Sequence, residues 1–297
     1  MKFYSEINSP KKKIDVSLIK NLEWKSIQYR KTILSIIKSA NSGHIGGSLS
    51  CIDILNVLYN HVLNVSPLNI HDQNRDRYIH SKGHSVEALY TVLADKGFFP
   101  EEELKTVCQY GSYLIGHPTR KINGIEHNTG ALGHGLSVAV GLALAGKIDQ
   151  RNYRVFVLLG DGELEEGSNW EASMSASFYS LDNLVVIIDR NMLQITGPTD
   201  AITKLEPLQD KFISFGYAVR AVEGHNIPEL IQVFSELPFE EGKPSLIIAK
   251  TTKGKGVSFM ENDPDWHHRV PGDKELLAAM NELRNAEKEW KMRYEHW

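Results

Sequence analysis

Two short apolar runs, each followed by a polar side chain that can bind a cation, constrain the fold of this chain most. Val155–Gly160 reads VFVLLG and precedes Asp161, and Leu184–Ile188 reads LVVII and leads to Asn191. Continuous apolar runs of this length are typical of strands buried in a parallel sheet. Because open α/β sheets bind ligands at the carboxyl ends of their strands, we expect both polar groups at one edge of the sheet.

A carboxylate paired with a carboxamide suits a hard cation such as Mg²⁺ better than zinc. Mg²⁺ also prefers to complete its shell with phosphate oxygens and water, so the pattern predicts a site for a metal-bound phosphorylated cofactor. The alternative at this point is two core strands that end in ordinary Asp-Gly and Asn turns.

The order of elements along the chain predicts one doubly wound α/β domain with a mostly parallel sheet and helices on both faces. Apolar residues make up 41% of the 297 residues and charged residues 24%, which is enough for a real core. We expect a single domain over residues 1–297, with 1–14 as a flexible lead-in and 272–297 as a C-terminal helix. The other expected elements are helices over 15–41, 51–59, from Pro100 and over 206–215, and strands over 77–80, 217–222 and 245–250.

Composition and charge narrow the class of protein. The net charge of −4 gives no sign of a nucleic-acid or membrane surface. The N-terminus has no apolar run as long as that of a signal peptide, and no apolar stretch is long enough to span a membrane. We therefore expect a protein of the cytoplasm. Cys51 and Cys108 both fall in helical apolar patterns, and we expect two buried free thiols.

Glycine-marked loops carry most of the remaining signal. Five of the twelve histidines directly follow a glycine, which places an imidazole on a turn where backbone can approach a ligand: His44, His84, His117, His134 and His225. Thr251–Gly256 is a basic glycine loop after the last strand, and it suits either a phosphate or a solvated turn. Gly130–Gly135 lacks the GxGxxG spacing of a dinucleotide loop and could be a simple tight turn.

The ordered set of these motifs resembles the N-terminal part of a transketolase, from about residue 20 to residue 271. Gly160-Asp161-Gly162, followed thirty residues after Asp161 by Asn191, resembles the thiamine diphosphate motif. The other matching motifs are Ser42-Gly43-His44, Ser81-Lys82-Gly83-His84, Gly116-His117-Pro118, Thr129–Gly135, Lys250–Gly256 and Trp266-His267.

The resemblance implies thiamine diphosphate (ThDP) and Mg²⁺ as cofactors, with Ca²⁺ or Mn²⁺ as substitutes. Three residues would ligate the metal: Asp161, Asn191 and Leu193 through its carbonyl. The cofactor-binding set would be Lys82, His84, Gly130, Ala131, Leu132, Gly162, Glu166, Asn191, Lys253 and His267. The residues handling protons and substrate hydroxyls would be His44, His84, His117 and His267.

Two of these histidine motifs depart from the usual pattern. Many transketolases read Gly-His-Pro where this chain has Gly43-His44-Ile45, and Gly-Pro-Leu-Gly-Gln-Gly where it has Gly130–Gly135. The second departure adds His134, to which we assign no role. A gapless count from the basic loop selects His267 as the functional histidine, whereas anchoring on Pro271 selects His268, and we prefer the former.

Full transketolases are about twice as long as this chain, so the resemblance implies the N-terminal subunit of a split transketolase. Its partner would be a C-terminal subunit that binds the aminopyrimidine ring, in an α₂β₂ assembly. The pair would transfer a two-carbon ketol unit from a ketose or ketose phosphate to an aldose or aldose phosphate. Alternatives are the α subunit of a 2-oxoacid dehydrogenase, a 1-deoxyxylulose-5-phosphate synthase fragment and a non-catalytic assembly partner.

Overall fold

A five-stranded parallel sheet forms the centre of the computed structural model, which describes residues 15–294. In chain order the strands of this part are β1 (Arg77–His80), β2 (Val155–Gly160), β3 (Leu184–Arg190), β4 (Leu193–Gln194), β5 (Gly197–Pro198), β6 (Ala218–Glu223) and β7 (Ser245–Lys250). The sheet order is β1-β2-β3-β7-β6, while β4 and β5 form a separate antiparallel hairpin. The predicted fold class is confirmed.

The strand register places the carboxyl ends of the central strands side by side. Gly160 of β2 pairs with Asp189 of β3, and Asp189 pairs with Ala249 of β7. The residues that follow these strands therefore leave the sheet at the same edge, as the two apolar runs predicted.

Helices cover both faces of the sheet. They are α1 (Val16–Ala40), α2 (Ile45–Val57), α3 (Val86–Asp95), α4 (His134–Ile148), α5 (Gly167–Phe178), α6 (Thr199–Ile202), α7 (Leu208–Ser214), α8 (Ile227–Ser235) and α9 (Asp273–Tyr294). Residues of α1, α2, α3, α8 and α9 share one hydrophobic core, and residues of α4, α5 and α7 share the other.

Strand β2 shows why its sequence is a continuous apolar run. Phe156 and Leu158 pack into the first core, whereas Val155, Val157 and Leu159 pack into the second. Both faces of the strand are buried, so alternation with polar residues is absent.

The second helix begins earlier than the sequence predicted. Residue 51 was the expected start, but α2 begins at Ile45, directly after His44, and continues into a π-helical turn at Leu58–Val62. Gly46 lies inside this helix, and glycine is needed there because a Cβ would come within 2.7 Å of the Trp266 carbonyl oxygen. This glycine permits close helix packing rather than a loop.

Cys108 does not lie in a buried helix, so that prediction is wrong. The segment that starts after Pro100 is a short 3-10 helix, Glu101–Thr106, and the chain turns back just beyond it. Cys108 has a left-handed φ of 58° and is exposed, while Cys51 is buried in α2 as expected. The spacing of apolar residues could not show this reversal, because the backbone N–H of Cys108 pairs with a residue further along the chain.

The two chain ends carried separate predictions. Helix α9 spans Asp273–Tyr294 and agrees with the expected C-terminal helix. The lead-in expected over residues 1–14 lies outside the described residues. Between residues 15 and 294, no helix is both long and apolar enough to cross a membrane.

The different exposure of the two cysteines predicts selective thiol labelling. Burial raises the pKa of both thiols, so labelling with a disulfide reagent should be run at about pH 8.5, where more thiolate forms. We expect one thiol to react quickly in the folded protein and two after denaturation. Cys108→Ser should abolish the fast reaction and Cys51→Ser should leave it, whereas two fast thiols in the folded protein would contradict the placement.

Candidate functional site

A cavity of about 470 Å³ opens at the carboxyl edge of the sheet, beside the ends of β2 and β3. Most of the predicted site residues line it: His44, Lys82, His84, His117, Gly130, Leu132, Asp161, Gly162, Asn191, Leu193, Lys253 and His267. Six further lining residues were not predicted: Gly47, Gly160, Glu163, Gln194, Ile195 and Thr196. Loops far apart in sequence thus converge on one cavity.

The floor of the cavity is an ion pair between Lys82 and Asp189, whose side chains are 1% and 0% exposed. The Lys82 ammonium also donates to the Gly47 carbonyl at 3.1 Å, and Asp189 accepts from the Ser50 hydroxyl at 2.5 Å and from Thr251. Burial disfavours both charges, yet each partner holds the other ionised, which keeps the pKa of Asp189 lowered and that of Lys82 raised. Lys82 therefore lies at the cavity already paired with a carboxylate.

Asp161 lies directly after β2 and is almost fully buried. Its Oδ1 accepts from the backbone N–H of Gly162 at 2.9 Å, and its Oδ2 accepts from Met192 N–H at 2.6 Å and from Arg190 at 3.1 Å. Burial and the nearby charge of Asp189 raise the pKa of Asp161, against the lowering effect of Arg190. A cation bound at this carboxylate would offset that cost.

Asn191 and Leu193 place two more oxygens beside Asp161. Asn191 Oδ1 accepts from the Leu193 N–H at 3.1 Å, and the Leu193 carbonyl accepts from Lys253 Nζ at 3.1 Å. These oxygens, with no sulfur or imidazole among them, fit a hard divalent cation. Within residues 15–294, no group of three or more His, Cys, Asp or Glu could hold a metal, so a metal site here depends on the carboxamide and the carbonyl.

Imidazole rings cluster on the other side of the cavity. The His44 ring lies 5.2 Å from that of His84, 6.3 Å from His117, 5.4 Å from His267 and 4.6 Å from His268. Burial, together with the positive charge of its neighbours, lowers the pKa of His44 to about 4 and that of His267 to about 3. These two rings are therefore neutral at pH 7, and each can donate one hydrogen bond and accept another.

The structure brings His268 to the cluster as well, so neither of the two neighbouring histidines is remote from it. His267 lines the cavity and its Nδ1 lies 2.7 Å from Lys253 Nζ, whereas His268 is exposed and meets the rim through His44.

Lys253 joins the two halves of the cavity. Its ammonium contacts the Leu193 carbonyl on the metal side and His267 on the imidazole side. Burial and the charge of Lys82 lower the pKa of Lys253 to about 8, so most molecules carry the proton at pH 7. The preceding residue is fixed by His225, whose Nε2 accepts from the Thr252 N–H at 2.8 Å.

Besides His268, three predicted or questioned residues lie outside the cavity lining. Ala131 and Glu166 are exposed, although Glu166 packs against Gly133, where a Cβ would come within 2.6 Å of its side chain. His134 is exposed at the start of α4 and its Nδ1 lies 3.1 Å from the Leu132 carbonyl. Their predicted roles stay predictions, and His134 still has none.

Two buried glutamates support the site and were not predicted. Glu163 accepts from the Ser81 hydroxyl, from Gly133 N–H at 2.9 Å and from Gly160 N–H at 3.0 Å. It thereby holds three segments together, and burial raises its pKa.

Glu87 of α3 supports the imidazole side. Its carboxylate accepts from the backbone N–H of His44 at 3.2 Å and from the Ser48 hydroxyl at 2.7 Å.

Only the position of Glu163 directly after the Asp-Gly turn could have pointed to its role, and the acidic residues that follow it in the same segment obscure that signal.

Residues 25–295 match the family model described as "Transketolase, thiamine diphosphate binding domain". The chain therefore belongs to the transketolase family, as the motifs predicted, and thiamine diphosphate is the cofactor of the matched domain. Its relatives are named transketolases, which are transferases, so the prediction of an enzyme is confirmed.

Several relatives are themselves named as subunits. The chain is 47% identical over 265 residues to one subunit of the apulose-4-phosphate transketolase of Phocaeicola vulgatus, covering 89% of this chain and 94% of the relative. It is 42% identical over 255 residues to the 6-deoxy-6-sulfo-D-fructose transketolase subunit SqwG of a Clostridium species, covering 86% and 93%.

Other relatives are longer than this chain. Human transketolase is 40% identical over 230 residues, which are 77% of this chain and 36% of the human protein. The crystal structure of Campylobacter jejuni transketolase superposes with a TM-score of 0.82 at 32% identity, covering 89% of this chain and 43% of that one. Less than half of this longer enzyme thus has the same fold as this chain.

Breaking the buried ion pair should strongly destabilise the fold. Lys82→Met leaves the Asp189 carboxylate buried without its cation, which costs about 3–5 kcal/mol in the free energy of unfolding. The matched control is Lys147→Met, because Lys147 pairs with Asp182 at the surface and should cost less than about 1 kcal/mol. Denaturant unfolding measures both, and equal losses would contradict the central place of the buried pair.

Proposed function

We propose that this chain is the diphosphate-binding subunit of a two-subunit transketolase that uses ThDP and Mg²⁺. With its partner it transfers a two-carbon ketol unit from a ketose or ketose phosphate to an aldose or aldose phosphate. The observation that carries the proposal is the single cavity in which the oxygens of Asp161, Asn191 and Leu193 face a group of neutral imidazoles.

The two ends of the cavity would hold different parts of the cofactor. Asp161, Asn191 and the Leu193 carbonyl would bind Mg²⁺, because oxygen ligands suit this ion. Gly162 lines the cavity, and its lack of a side chain would let a diphosphate come close to the backbone there. Lys253 contributes the nearby positive charge. When bound, ThDP would supply the stabilised carbanion chemistry that two-carbon transfer needs.

Further cofactor contacts follow from the family pattern. His84 and Lys82 would border the diphosphate, and Lys82 would do so while it stays paired with Asp189. Gly130 and Leu132 line the cavity and would face the cofactor, with Ala131 beside them at the surface.

His267 has a defined proton-donating atom. The Lys253 ammonium donates to His267 Nδ1, so in the neutral ring the proton is on Nε2. That N–H would donate to a substrate or phosphate oxygen. His44, His84 and His117 would bind the substrate hydroxyls and move protons during carbonyl addition and bond cleavage.

The partner would contribute the pyrimidine-binding half of the active site, and we keep an α₂β₂ assembly as the proposed state. Two relatives are named as subunits, and the matched region covers 94% and 93% of their lengths. Glu166 is exposed beside the cavity loop of Gly133, which fits a contact from another chain that orients the pyrimidine. Gly141 and Ala145 of α4 are small and exposed, so they would let a helix of another chain pack closely against α4.

The substrate is proposed at the level of class. Relatives are named for apulose 4-phosphate and for 6-deoxy-6-sulfo-D-fructose, which are both ketoses with a charged distal group. We propose a ketose donor and an aldose acceptor, in the cytoplasm, and no nucleic-acid or membrane partner. The membership of the transketolase family disfavours the 2-oxoacid dehydrogenase alternative.

The decisive test compares Asp161→Ala with the matched control Asp210→Ala in the complex of this chain with its partner. Asp210 lies on the exposed surface of α7, away from the cavity. We expect Asp161→Ala to lower ThDP-dependent ketol transfer by more than about 100-fold. Loss of a residue that only supports a metal ligand already lowers metal affinity or activity by about 10–100-fold. The control should match the wild type.

Measurements of ThDP binding test the cofactor separately from the need for a partner subunit. Calorimetry should show ThDP binding to the wild-type complex only when Mg²⁺, Ca²⁺ or Mn²⁺ is present. Full activity of this chain without a partner would contradict the split active site, and a complex that binds no ThDP would favour a non-catalytic assembly role.

A further inference from the structure

Arg190 is a buried cation that the reaction outlined above does not use. It is the last residue of β3, it lies between Asp189 and Asn191 in sequence, and its side chain is 4% exposed. Its guanidinium Nη1 donates to Asp161 Oδ2 at 3.1 Å and to the Thr199 hydroxyl at 2.8 Å. One nitrogen therefore contacts both the predicted metal carboxylate and a residue that follows β3 in the chain.

The other guanidinium nitrogen extends the same connection. Nη2 donates to Glu206 Oε1 at 3.0 Å and to Asp200 Oδ1 at 3.4 Å. Glu206 is partly exposed, and its pKa is lowered, against the effect of burial, by the Leu208 N–H and by Arg190. Arg190 thus connects a buried carboxylate to two acids at the surface.

Residues 192–206, which we call the cover segment, form one side of the cavity. They contain the β4–β5 hairpin and α6, and four of them line the cavity: Leu193, Gln194, Ile195 and Thr196. At the start of the segment, the Met192 N–H donates a hydrogen bond to Asp161. Residues 192–199 form a loop in which the Thr199 N–H donates to the Met192 carbonyl at 3.0 Å. Arg190 fastens the far end of the segment through Glu206.

Counting hydrogen bonds at Asp161 shows what Arg190 does to this carboxylate. Each carboxylate oxygen offers about two lone-pair sites. Oδ2 accepts from Met192 and from Arg190, so both of its sites are taken, whereas among residues 15–294 Oδ1 accepts only from Gly162. The carboxylate is held by one oxygen and keeps one acceptor site free on the other.

We propose that Arg190 is a positioning residue for the cation site. It holds Asp161 through Oδ2 so that Oδ1 is the oxygen offered to the metal, and it couples that orientation to the position in which the cover segment lines the cavity. The metal itself rests on the function proposed above, while the coupling rests on contacts within this chain. Charge-assisted bonds from a planar guanidinium fix orientation as well as distance, which a lysine at this position could not do.

The first measurement needs no cofactor. Trypsin can cleave after Lys204, which is exposed within the cover segment, and after Lys121, which is exposed elsewhere and serves as the internal reference. In the complex with the partner, Arg190→Met should speed cleavage after Lys204 by about tenfold or more and leave cleavage after Lys121 unchanged. Glu206→Gln should speed it less, because the amide keeps a hydrogen bond but loses the charge.

The second measurement is the dissociation constant of Mn²⁺ at saturating ThDP, from the electron paramagnetic resonance signal of free Mn²⁺. Arg190→Met should raise this constant about 10–100-fold, the usual cost of losing a residue that orients a metal ligand. Arg190→Lys should fall between, since it keeps the charge and loses the fork. Arg154→Met removes an arginine paired with Asp76 at a distance from the cavity, and should change neither readout.

The outcomes separate this inference from the proposed function. If Arg190→Met binds Mn²⁺ as tightly as the wild type or more tightly, Arg190 does not position the metal ligand, and the inference is overturned. The only effect of Arg190 on the site would then be electrostatic repulsion of the cation. Unchanged cleavage after Lys204 also overturns the inference. If the wild-type complex binds no Mn²⁺ with ThDP, the proposed function fails, and the cleavage rates alone then support or overturn the coupling.

Discussion

The arrangement of the cavity depends on one buried carboxylate, that of Asp189 at the end of β3. Lys82 from the loop after β1, Ser50 from α2 and Thr251 after β7 all donate to it. A buried charge is tolerated only when its partners are present and well placed, so this carboxylate fixes the relative positions of four segments. The loops that carry His84 and Lys253 are held to the sheet through it.

Glu163 repeats this principle on the other side of β2. Its carboxylate holds Ser81, Gly133 and Gly160, which belong to three different segments. Glycines of the site let these segments pack closely. A Cβ at Gly135, for example, would lie only 2.2 Å from the Ser81 side chain. Buried acids set where the loops lie, and glycines let them approach, so the diphosphate end of the site is largely preformed.

The sequence predicted the buried strands well, because their apolar runs are continuous, and it placed Asp161 and Asn191 where two strands end at one edge of the sheet. Their role as metal ligands stays a prediction. The sequence failed where function depends on partners distant in sequence. The pairing of Arg190 with Asp161, and the three bonds of Glu163, have no local pattern, since the partners meet only after the strands align. Gly46 misled for another reason, because glycine marks close helix packing as well as loops. The assignment of residues 1–297 to one domain stays a prediction.

The most direct test of the account is a crystal structure of the complex of this chain and its partner grown with ThDP and Mn²⁺, with anomalous data that locate the metal. The account predicts one anomalous peak in the cavity, ligated by Asp161 Oδ1, Asn191 Oδ1 and the Leu193 carbonyl and by diphosphate oxygens. A peak ligated by other residues, or ThDP bound with its diphosphate away from Gly162, would contradict it.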